Sequence, residues 1–175
     1  GQEIYDPNCG SAGLLIKCYL ELQETVNKKK FLPLKLYGQE NIPSTWRMSK
    51  MNIFIHNMDC KVALGDTMGS PNFIEKNGLK KFDVVVANPM WNQDIDMSYY
   101  ENDRFDRFKY GFPTASNADL GWVQHMIAST KDKGQVAVIL DTGVATRGSS
   151  GEDKSAELRI RKKILKEDLI KSVIL

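Results

Sequence analysis

The sequence is poor in cysteine, in long apolar runs and in excess charge, and each of these absences excludes a class of protein. Its three cysteines form no C-x-x-C pair and have no histidine at ligand spacing, which argues against a disulfide framework and against a zinc site, so we expect no metal. No apolar run approaches the about 18 residues that a membrane span needs, and the first residues do not resemble a signal peptide. We therefore expect a soluble protein of the reducing cytoplasm.

The near balance of charge excludes a strong overall electrostatic field. Lys and Arg number 24 against 22 Asp and Glu, so the formal net charge is only +2. Any contact with nucleic acid must then be local or shared with a partner. The composition, 42% hydrophobic and 26% charged over 175 residues, is that of one domain with one sizeable core. The sequence reaches a functional loop after only a few residues, and it stops within the apolar run of residues 172–175. We therefore expect residues 1–175 to be a fragment of a longer chain.

Short β-type runs alternate with helical patterns along the chain. Strands are predicted over residues 3–5, 34–38, 61–64, 82–87 and 135–140, and helices over residues 14–26, 44–57 and 119–130. This alternation predicts an α/β fold, a doubly wound and mostly parallel sheet with helices on both faces. Residues 82–87 are nearly all apolar, as expected for a central strand buried on both sides. In the second helix we expect Trp46, Met48, Met51, Phe54 and Ile55 to form one core-facing stripe.

Two polar loops follow the first two predicted strands. Residues 6–13 read Asp-Pro-Asn-Cys-Gly-Ser-Ala-Gly, and their small side chains let a ligand approach backbone N–H groups at a helix N-terminus. Glu40 ends the next strand, where an acidic residue suits the two hydroxyls of a ribose. Each loop has a plainer interpretation, since Gly-rich turns also serve packing and Glu40 equally suits the start of a helix. Neither a G-x-G-x-x-G motif nor a P-loop is present.

Two further loops follow later strands in the same order. In Gly65-Asp66-Thr67 the aspartate is suited either to accept from an adenine amine or to cap a turn. Asn88-Pro89-Met90-Trp91 follows the most apolar strand, and the proline stops the strand there. The Asn side-chain carbonyl and the Pro backbone carbonyl can both accept from one planar NH₂ group, and Trp91 offers a stacking face. The alternative is a simple Asn-Pro turn beside a core tryptophan.

Across these four loops the sequence resembles the modification subunit of type I restriction-modification enzymes, which are adenine-specific DNA methyltransferases. Residues 6–15 resemble the motif D-P-x-x-G-S/T-G/A-G-F-L, and residues 37–52 resemble Y-G-Q-E-x-x-x-x-T-x-x-x-x-x-M-N. Residues 65–67 match G-D-T, and residues 82–89 match F-D-x-V-x-A-N-P. The segments 110–111, 116–119, 141–144 and 147–148 resemble the family as well. The resemblance covers nearly the whole chain and implies the Rossmann-like fold of S-adenosylmethionine-dependent methyltransferases.

The resemblance also implies a mechanism and a set of residues. A target adenine would be flipped out of DNA and its amine placed in line with the methyl group of S-adenosylmethionine. Asn88 and Pro89 would accept the amine hydrogens while Trp91 stacks on the base, which makes residues 88–91 the catalytic loop. The residues implied to bind the cofactor are Asp6, Pro7, Gly10, Ser11, Ala12, Gly13, Glu40 and Asp66. Among them Gly10 to Gly13 would hold the methionine part, Glu40 the ribose and Asp66 the adenine.

Two departures from the family pattern affect these expectations. Met90 stands where the family has a second proline, and Ala12 stands where the cofactor loop usually has its second glycine. These departures leave open a non-catalytic DNA-binding or assembly subunit with the same fold. A methyltransferase acting on a glutamine amide in protein is a second alternative, because the same loop geometry can accept from any planar NH₂ group. A nicotinamide-dependent oxidoreductase is disfavoured by the missing glycine motif.

The family resemblance further implies partners and a missing part of the chain. Members carry a helical region ahead of the cofactor loop, and they work with DNA, a specificity subunit and a restriction or motor subunit. Residues 92–117 form a long polar segment, which we expect to be mobile when no DNA is bound. Its aromatic and basic side chains would then be available to close over the flipped base or the DNA backbone. They are Tyr99, Tyr100, Arg104, Arg107, Lys109 and Tyr110.

Overall fold

The computed structural model describes residues 1–25, 32–76, 78–148 and 155–174. The chain divides into two compact units. Unit 1 comprises Gly1–Asn88 and Ser129–Val138, and unit 2 comprises Pro89–Ala128 and Ile139–Leu175.

Unit 1 contains a five-stranded sheet and two helices. The strands are β1 (Glu3–Asp6), β2 (Lys35–Glu40), β3 (Cys60–Leu64), β6 (Phe82–Ala87) and β7 (Thr130–Val138); the helices are α1 (Gly13–Thr25) and α2 (Pro43–Ile55). A short antiparallel hairpin is formed by β4 (Ile74–Glu75) and β5 (Gly78–Leu79). The order in the large sheet is β3-β2-β1-β6-β7, and every pairing in it is parallel. The predicted α/β fold with a mostly parallel, Rossmann-like sheet is therefore confirmed.

The observed strands and helices agree with most of the predicted ones, with one shift at the sheet edge. Strand β6 has the bounds predicted from its apolar run, and the described bounds of β1, α1, β2, α2 and β3 differ from the predicted ones by one or two residues, whereas β4 and β5 were not predicted. The predicted end of the first helix, residue 26, lies outside the described residues. β7 begins earlier than predicted: Thr130 pairs with Phe82, while the regular ladder resumes only where Gln135 pairs with Val84. The four intervening residues form an irregular excursion that no apolar periodicity marks.

The core of unit 1 lies between the sheet and its two helices. Its buried residues are Ile4, Cys9, Ala12, Leu15, Ile16, Leu34, Leu36, Ile53, Met58, Cys60, Val62 and Val86. A second cluster is aromatic, in which the rings of Tyr5, Tyr37, Phe73 and Phe82 pack against one another with centroids 4.5 to 6.1 Å apart. All three cysteines are free.

The predicted core stripe of the second helix is wrong for four of its five residues. Met48, Met51, Phe54 and Ile55 are 56%, 64%, 83% and 68% exposed. Only Trp46 packs against the core, and its indole N–H donates to the carbonyl of Val62 at 3.0 Å. The reason is geometric. Residues 46, 49 and 53 share one helix face by the three-and-four spacing, whereas residues 48, 51 and 55 lie on the opposite face.

The regular elements described in unit 2 are helices. They are α3 (Ser98–Glu101), α4 (Asp119–Ala128), α5 (Gly143–Thr146) and α6 (Ala156–Lys166). The helix predicted over residues 119–130 is α4, whereas α3, α5 and α6 were not predicted. A small core of Tyr110, Leu120, Ile160 and Ile164 holds unit 2 together. Residues 149–154 lie outside the described residues.

The expectation that residues 92–117 would be mobile, with free aromatic and basic side chains, is wrong where the segment packs. Tyr100, Arg107 and Tyr110 are at most 3% exposed. Arg107 forms an ion pair with Asp103 at 2.7 Å, and the Tyr100 ring meets Phe108 edge-on at 4.6 Å. These three side chains are therefore part of the interior of unit 2 and not available to cover a ligand. Arg104 and Lys109 remain exposed, and Tyr99 is half-buried.

Within the four described ranges, no helix is long and apolar enough to cross a membrane. The same residues contain no group of three or more His, Cys, Asp or Glu side chains that could hold a metal ion.

Candidate functional site

The carboxyl ends of four neighbouring parallel strands bring the predicted site residues of unit 1 to one sheet edge. Asp6 ends β1, Glu40 ends β2, Asp66 follows β3 and Asn88 follows β6. The register places Asp6 opposite Gly38, and Glu40 opposite Leu64. Ligands of open α/β sheets bind outside the carboxyl ends of the strands. The topology thus gathers residues that are up to 82 positions apart in sequence, from Asp6 to Asn88.

The loop after β1 turns sharply into α1. Gly10 and Ala12 have φ angles of 55° and 67°, both in the left-handed region. A Cβ atom on Gly10 would meet nothing within 4 Å, so the backbone there faces open space. Ala12 is fully buried, and its carbonyl accepts from the N–H of Ile16 at 3.0 Å as α1 begins. An alanine in this conformation costs roughly 1–2 kcal/mol relative to a glycine, which explains why a glycine suits this position.

Glu40 binds the loop after β1 to the start of α2. One carboxylate oxygen accepts from the N–H of Gly10 at 3.0 Å, and the other accepts from the N–H of Ile42 at 2.7 Å. The residue is only 8% exposed. Because each carboxylate oxygen has two lone pairs, Glu40 retains acceptor capacity for a ligand hydroxyl after making both bonds.

Asp6 is a buried acid close to this carboxylate. Burial, the larger cause, and the charge of Glu40 raise the pKa of Asp6 to about 7, although the N–H of Asn8 donates to it at 3.1 Å. No Lys or Arg among the described residues forms an ion pair with either acid. The buried Oδ1 atom of Asn8 also lacks a hydrogen-bond partner within that part of the chain. A cluster of buried acceptors without a cation fits a ligand that carries positive charge and N–H donors.

Gln39 is a site residue that the sequence reasoning missed. Its side chain is fully buried. Its amide nitrogen donates to the carbonyls of Gly65 and Ser70 at 3.2 and 3.1 Å, and its oxygen accepts from the N–H of Asn72 at 2.9 Å. The only sequence signal was its place in the segment resembling Y-G-Q-E, where no role was assigned to it. Gln39 fixes the loop after β3 against the end of β2.

Two more polar side chains complete the links between the loops. The amide of Asn52, on α2, donates to the carbonyl of Ser11 at 3.0 Å. The hydroxyl of Thr67 donates to the carbonyl of Pro7 at 2.5 Å. Both residues lie in segments that matched the family pattern, but neither was assigned a role. Together with Glu40 and Gln39 they connect three loops and α2 into one network.

Asp66 caps the turn after β3. Its Oδ1 atom accepts from the N–H of Met68 at 3.0 Å, so the turn-capping interpretation is confirmed for one oxygen. The residue is partly exposed. Its other carboxylate oxygen makes no hydrogen bond to any residue that the structure describes. Turn capping therefore leaves Asp66 able to accept from a ligand.

Asn88 and the three residues after it are placed differently. Asn88 belongs to unit 1, is exposed, and has no hydrogen-bond partner among the described residues. Pro89, Met90 and Trp91 belong to unit 2, where Pro89 is buried and Met90 is 68% exposed. Trp91 is 46% exposed, and its indole N–H lies 3.3 Å from the carbonyl oxygen of Ile139. Trp91 is thus not a core residue, and part of its ring remains open to solvent.

Comparisons with known proteins give relatives over nearly the whole chain. The model of the family described as N-6 DNA Methylase matches residues 1–175. The chain is 36% identical to the type I restriction enzyme MjaVIII methylase subunit of Methanocaldococcus jannaschii, over 98% of this chain and 29% of that protein. It is 31% identical to the type I restriction enzyme HindI methylase subunit of Haemophilus influenzae, over 98% of this chain and 36% of that protein.

A solved structure has the same fold. The methyltransferase subunit of a type I restriction-modification system from Streptococcus thermophilus superposes with a TM-score of 0.78 at 26% identity. The match covers 95% of this chain and 34% of that protein. The chain thus spans about a third of the length of each of these relatives.

Proposed function

Since the chain belongs to the N-6 DNA methylase family, we propose that it transfers the methyl group of S-adenosylmethionine to the exocyclic amine of adenine in DNA. We further propose that it does so as part of the modification subunit of a type I restriction-modification system, in the cytoplasm. The named relatives that support this are methylase subunits of such systems.

The observation that carries the proposal is the state of Asn88 at the end of β6. Its side-chain amide is exposed and unused by the described residues, at the same sheet edge as the buried acid Asp6. An exposed amide without a protein partner is hydrated, so a ligand amine can take the place of that water. A free carbonyl followed by the carbonyl of Pro89 suits acceptance from one planar amine.

The residues around the loop after β1 fit S-adenosylmethionine by their chemistry. The cofactor would supply a methyl group on a positively charged sulfur, next to a cationic amino group. Asp6 places a buried acid beside the glycine-containing turn, and Glu40 keeps acceptor capacity for the ribose hydroxyls. Asp66 has one oxygen left to accept from the adenine amine. Gly10, whose Cα faces open space, allows close approach of the methionine part.

The catalytic work of the chain is orientation and electrostatics. Asn88 and Pro89 accept the two hydrogens of the adenine amine, which directs the nitrogen lone pair toward the methyl group. Trp91 stacks on the flipped base and contributes about 1–3 kcal/mol to holding it. The bound cofactor would supply the methyl group and leave as a neutral thioether, and the nitrogen that has gained the methyl group would release one hydrogen as a proton to solvent. Met90, exposed beside these groups, contributes no polar atom to this step.

We also propose that recognition of the DNA sequence depends on partners. A net charge of +2 gives the chain no strong field for DNA. A specificity subunit would supply sequence recognition, and a motor subunit would be needed for restriction. The chain would contribute the cofactor site and the methyl-acceptor loop to that complex.

The test is tritiated methyl transfer to unmodified bacterial DNA by the full-length protein with its specificity subunit. We expect label on adenine, and a loss of about 100-fold or more in Asn88→Ala, by analogy with the removal of one group that stabilises a transition state. Gln23→Ala, which changes an exposed amide on α1, is the matched control and should retain activity.

Other outcomes would reject the proposal in distinct ways. Label on protein glutamine in place of DNA would indicate a protein methyltransferase. Measured cofactor binding with no transfer at all would indicate a non-catalytic assembly subunit. Full activity of Asn88→Ala would show that another group accepts from the amine.

A further inference from the structure

Arg147 is the centre of a hydrogen-bond network within unit 2. All three of its guanidinium nitrogens donate to side chains of other segments. The acceptors are Asn92 at 2.9 Å, Asp141 at 3.1 Å, Asn117 at 3.2 Å, Glu157 at 3.3 Å and Asp119. The planar guanidinium can serve such a set, whereas a lysine ammonium has three donors from a single atom.

The network is built around buried acids. The side chain of Asp119 is fully buried and that of Glu157 is 7% exposed, whereas that of Arg147 is 27% exposed. Buried carboxylates are tolerated when a cation pairs with them, and Arg147 is the cation that pairs with both. The position of the guanidinium is therefore fixed by its ion pairs with these buried carboxylates.

One arm of the network holds the residue directly after Trp91. Asn92 has a φ angle of 52°, in the left-handed region that asparagine tolerates better than most residues. Its N–H donates to Asp119 at 3.2 Å, and its side-chain oxygen accepts from Asn117 at 2.9 Å as well as from Arg147. The turn at residues 91–92 is thus fixed through Arg147 and its acids to α4 and α6.

We propose that Arg147 is a positioning residue that sets Trp91 for stacking on the target base. This inference rests on the proposed function, because it concerns the stacking role assigned to Trp91 there. The side chains that accept hydrogen bonds from Arg147 are not among those assigned to the cofactor or to the base. It acts through Asn92, so its loss would leave the cofactor site of unit 1 intact and would weaken the hold on the flipped base.

The test uses the full-length protein with its specificity subunit. Methyl transfer is measured on DNA with adenine at the target position, and base flipping on the same DNA carrying 2-aminopurine there, whose fluorescence rises when the base leaves the stack. The variants are Arg147→Lys, Asn92→Gly and their combination. Glycine keeps the left-handed backbone of residue 92 and removes only its side-chain link. The control is Arg161→Lys, because Arg161 donates to the backbone carbonyls of Val144 and Arg147 at 3.1 and 2.6 Å and so tests whether any change of an arginine beside the network has the same effect.

We expect Arg147→Lys and Asn92→Gly each to lower kcat/KM for DNA by at least about tenfold, as small misplacements of positioned groups do. The Kd for S-adenosylmethionine should stay within about twofold of wild type. The kcat/KM of the double variant should be no lower than that of the less active single variant. The fluorescence rise should fall in parallel with kcat/KM. Arg161→Lys should lower the unfolding temperature and leave kcat/KM within about twofold.

Three results would overturn the inference while leaving the proposed function standing. They are full activity of Arg147→Lys, an equal loss in Arg161→Lys, and a loss of cofactor affinity as large as the loss in kcat/KM. A wild-type protein that transfers no methyl group would instead reject the proposed function. In that case a fluorescence rise that is smaller in Arg147→Lys than in wild type supports the positioning role. If no such difference is seen, both the proposed function and the positioning role are rejected.

Discussion

Glu40→Gln separates the two bonds that one carboxylate makes at the edge of the sheet. Glutamine retains one acceptor oxygen, but its NH₂ group would face the N–H of either Gly10 or Ile42, which lie 3.0 and 2.7 Å from the present oxygens. A hydrogen bond to a charged group contributes about 1.5–3 kcal/mol, and Glu40 is too buried for water to replace the lost bond fully. If the loss loosens the loop after β1, the Kd for S-adenosylmethionine should rise about 10- to 150-fold.

The assay is equilibrium dialysis with labelled S-adenosylmethionine, together with urea unfolding of the same samples. Glu75→Gln is the matched control, since the Glu75 side chain is 61% exposed and, within the described ranges, pairs with Lys80 alone. We expect the Kd of Glu75→Gln for S-adenosylmethionine to stay within about twofold of wild type, because ion pairs with an exposed partner contribute little free energy. A Glu40→Gln protein with unchanged affinity and an unchanged unfolding midpoint would show that the carboxylate does not hold the loop.

Three other predictions concern the same edge of the sheet. Binding of a cationic cofactor should lower the pKa of Asp6 from about 7, so calorimetry at pH 6.5 in buffers of different ionisation enthalpy should detect proton release that Asp6→Asn abolishes. Without cofactor, the folded state holds more protons than the unfolded state between about pH 4 and pH 7. The Asp6 contribution to the free energy of unfolding should therefore fall as pH rises through that window. The same pH dependence of unfolding in wild type and Asp6→Asn would contradict this. Gly38→Ala would place a Cβ atom 2.8 Å from Cys9 Sγ and should cost about 1–3 kcal/mol in urea unfolding, part of which Cys9→Ala should restore; additive effects of the two changes would refute the contact.

The order of the site loops could be predicted because it depends on local sequence and on one rule of topology. Residues 82–87 are nearly all apolar and end at Asn88-Pro89, so both bounds of β6 follow from the sequence. Parallel strands joined by helices bring their carboxyl ends to one edge, which places Asp6, Glu40, Asp66 and Asn88 there.

The orientation of α2 could not be predicted from its apolar residues alone. Apolar side chains occupy two faces of the helix, and packing against the sheet selects the face of Trp46 and Ile53. The sequence does not show which face the sheet will meet, because that depends on the position of the helix axis. The more apolar of the two faces is the exposed one, so counting hydrophobic residues favoured the wrong side.

The packing of residues 92–117 and the network around Gln39 depend on partners that are distant in sequence. The N–H of Tyr110 donates to the side chain of Gln124, and Gln124 in turn donates to the carbonyl of Gly111. Such pairings have no periodicity along the chain, so a polar aromatic segment is easily taken for a free loop. The roles of Gln39 and Asn52 were missed for the same reason, since each bonds to backbone carbonyls of another loop.

The links among the loops after β1, β2 and β3 have a consequence for the affinity and rate of cofactor binding. Bonds within the chain already fix these loops to one another through Gln39, Asn52 and Thr67. A ligand that enters such a cleft spends little free energy on ordering backbone, so more of its contact energy remains as affinity. Association should then follow a single phase whose rate is proportional to cofactor concentration, with no slow step for loop closure.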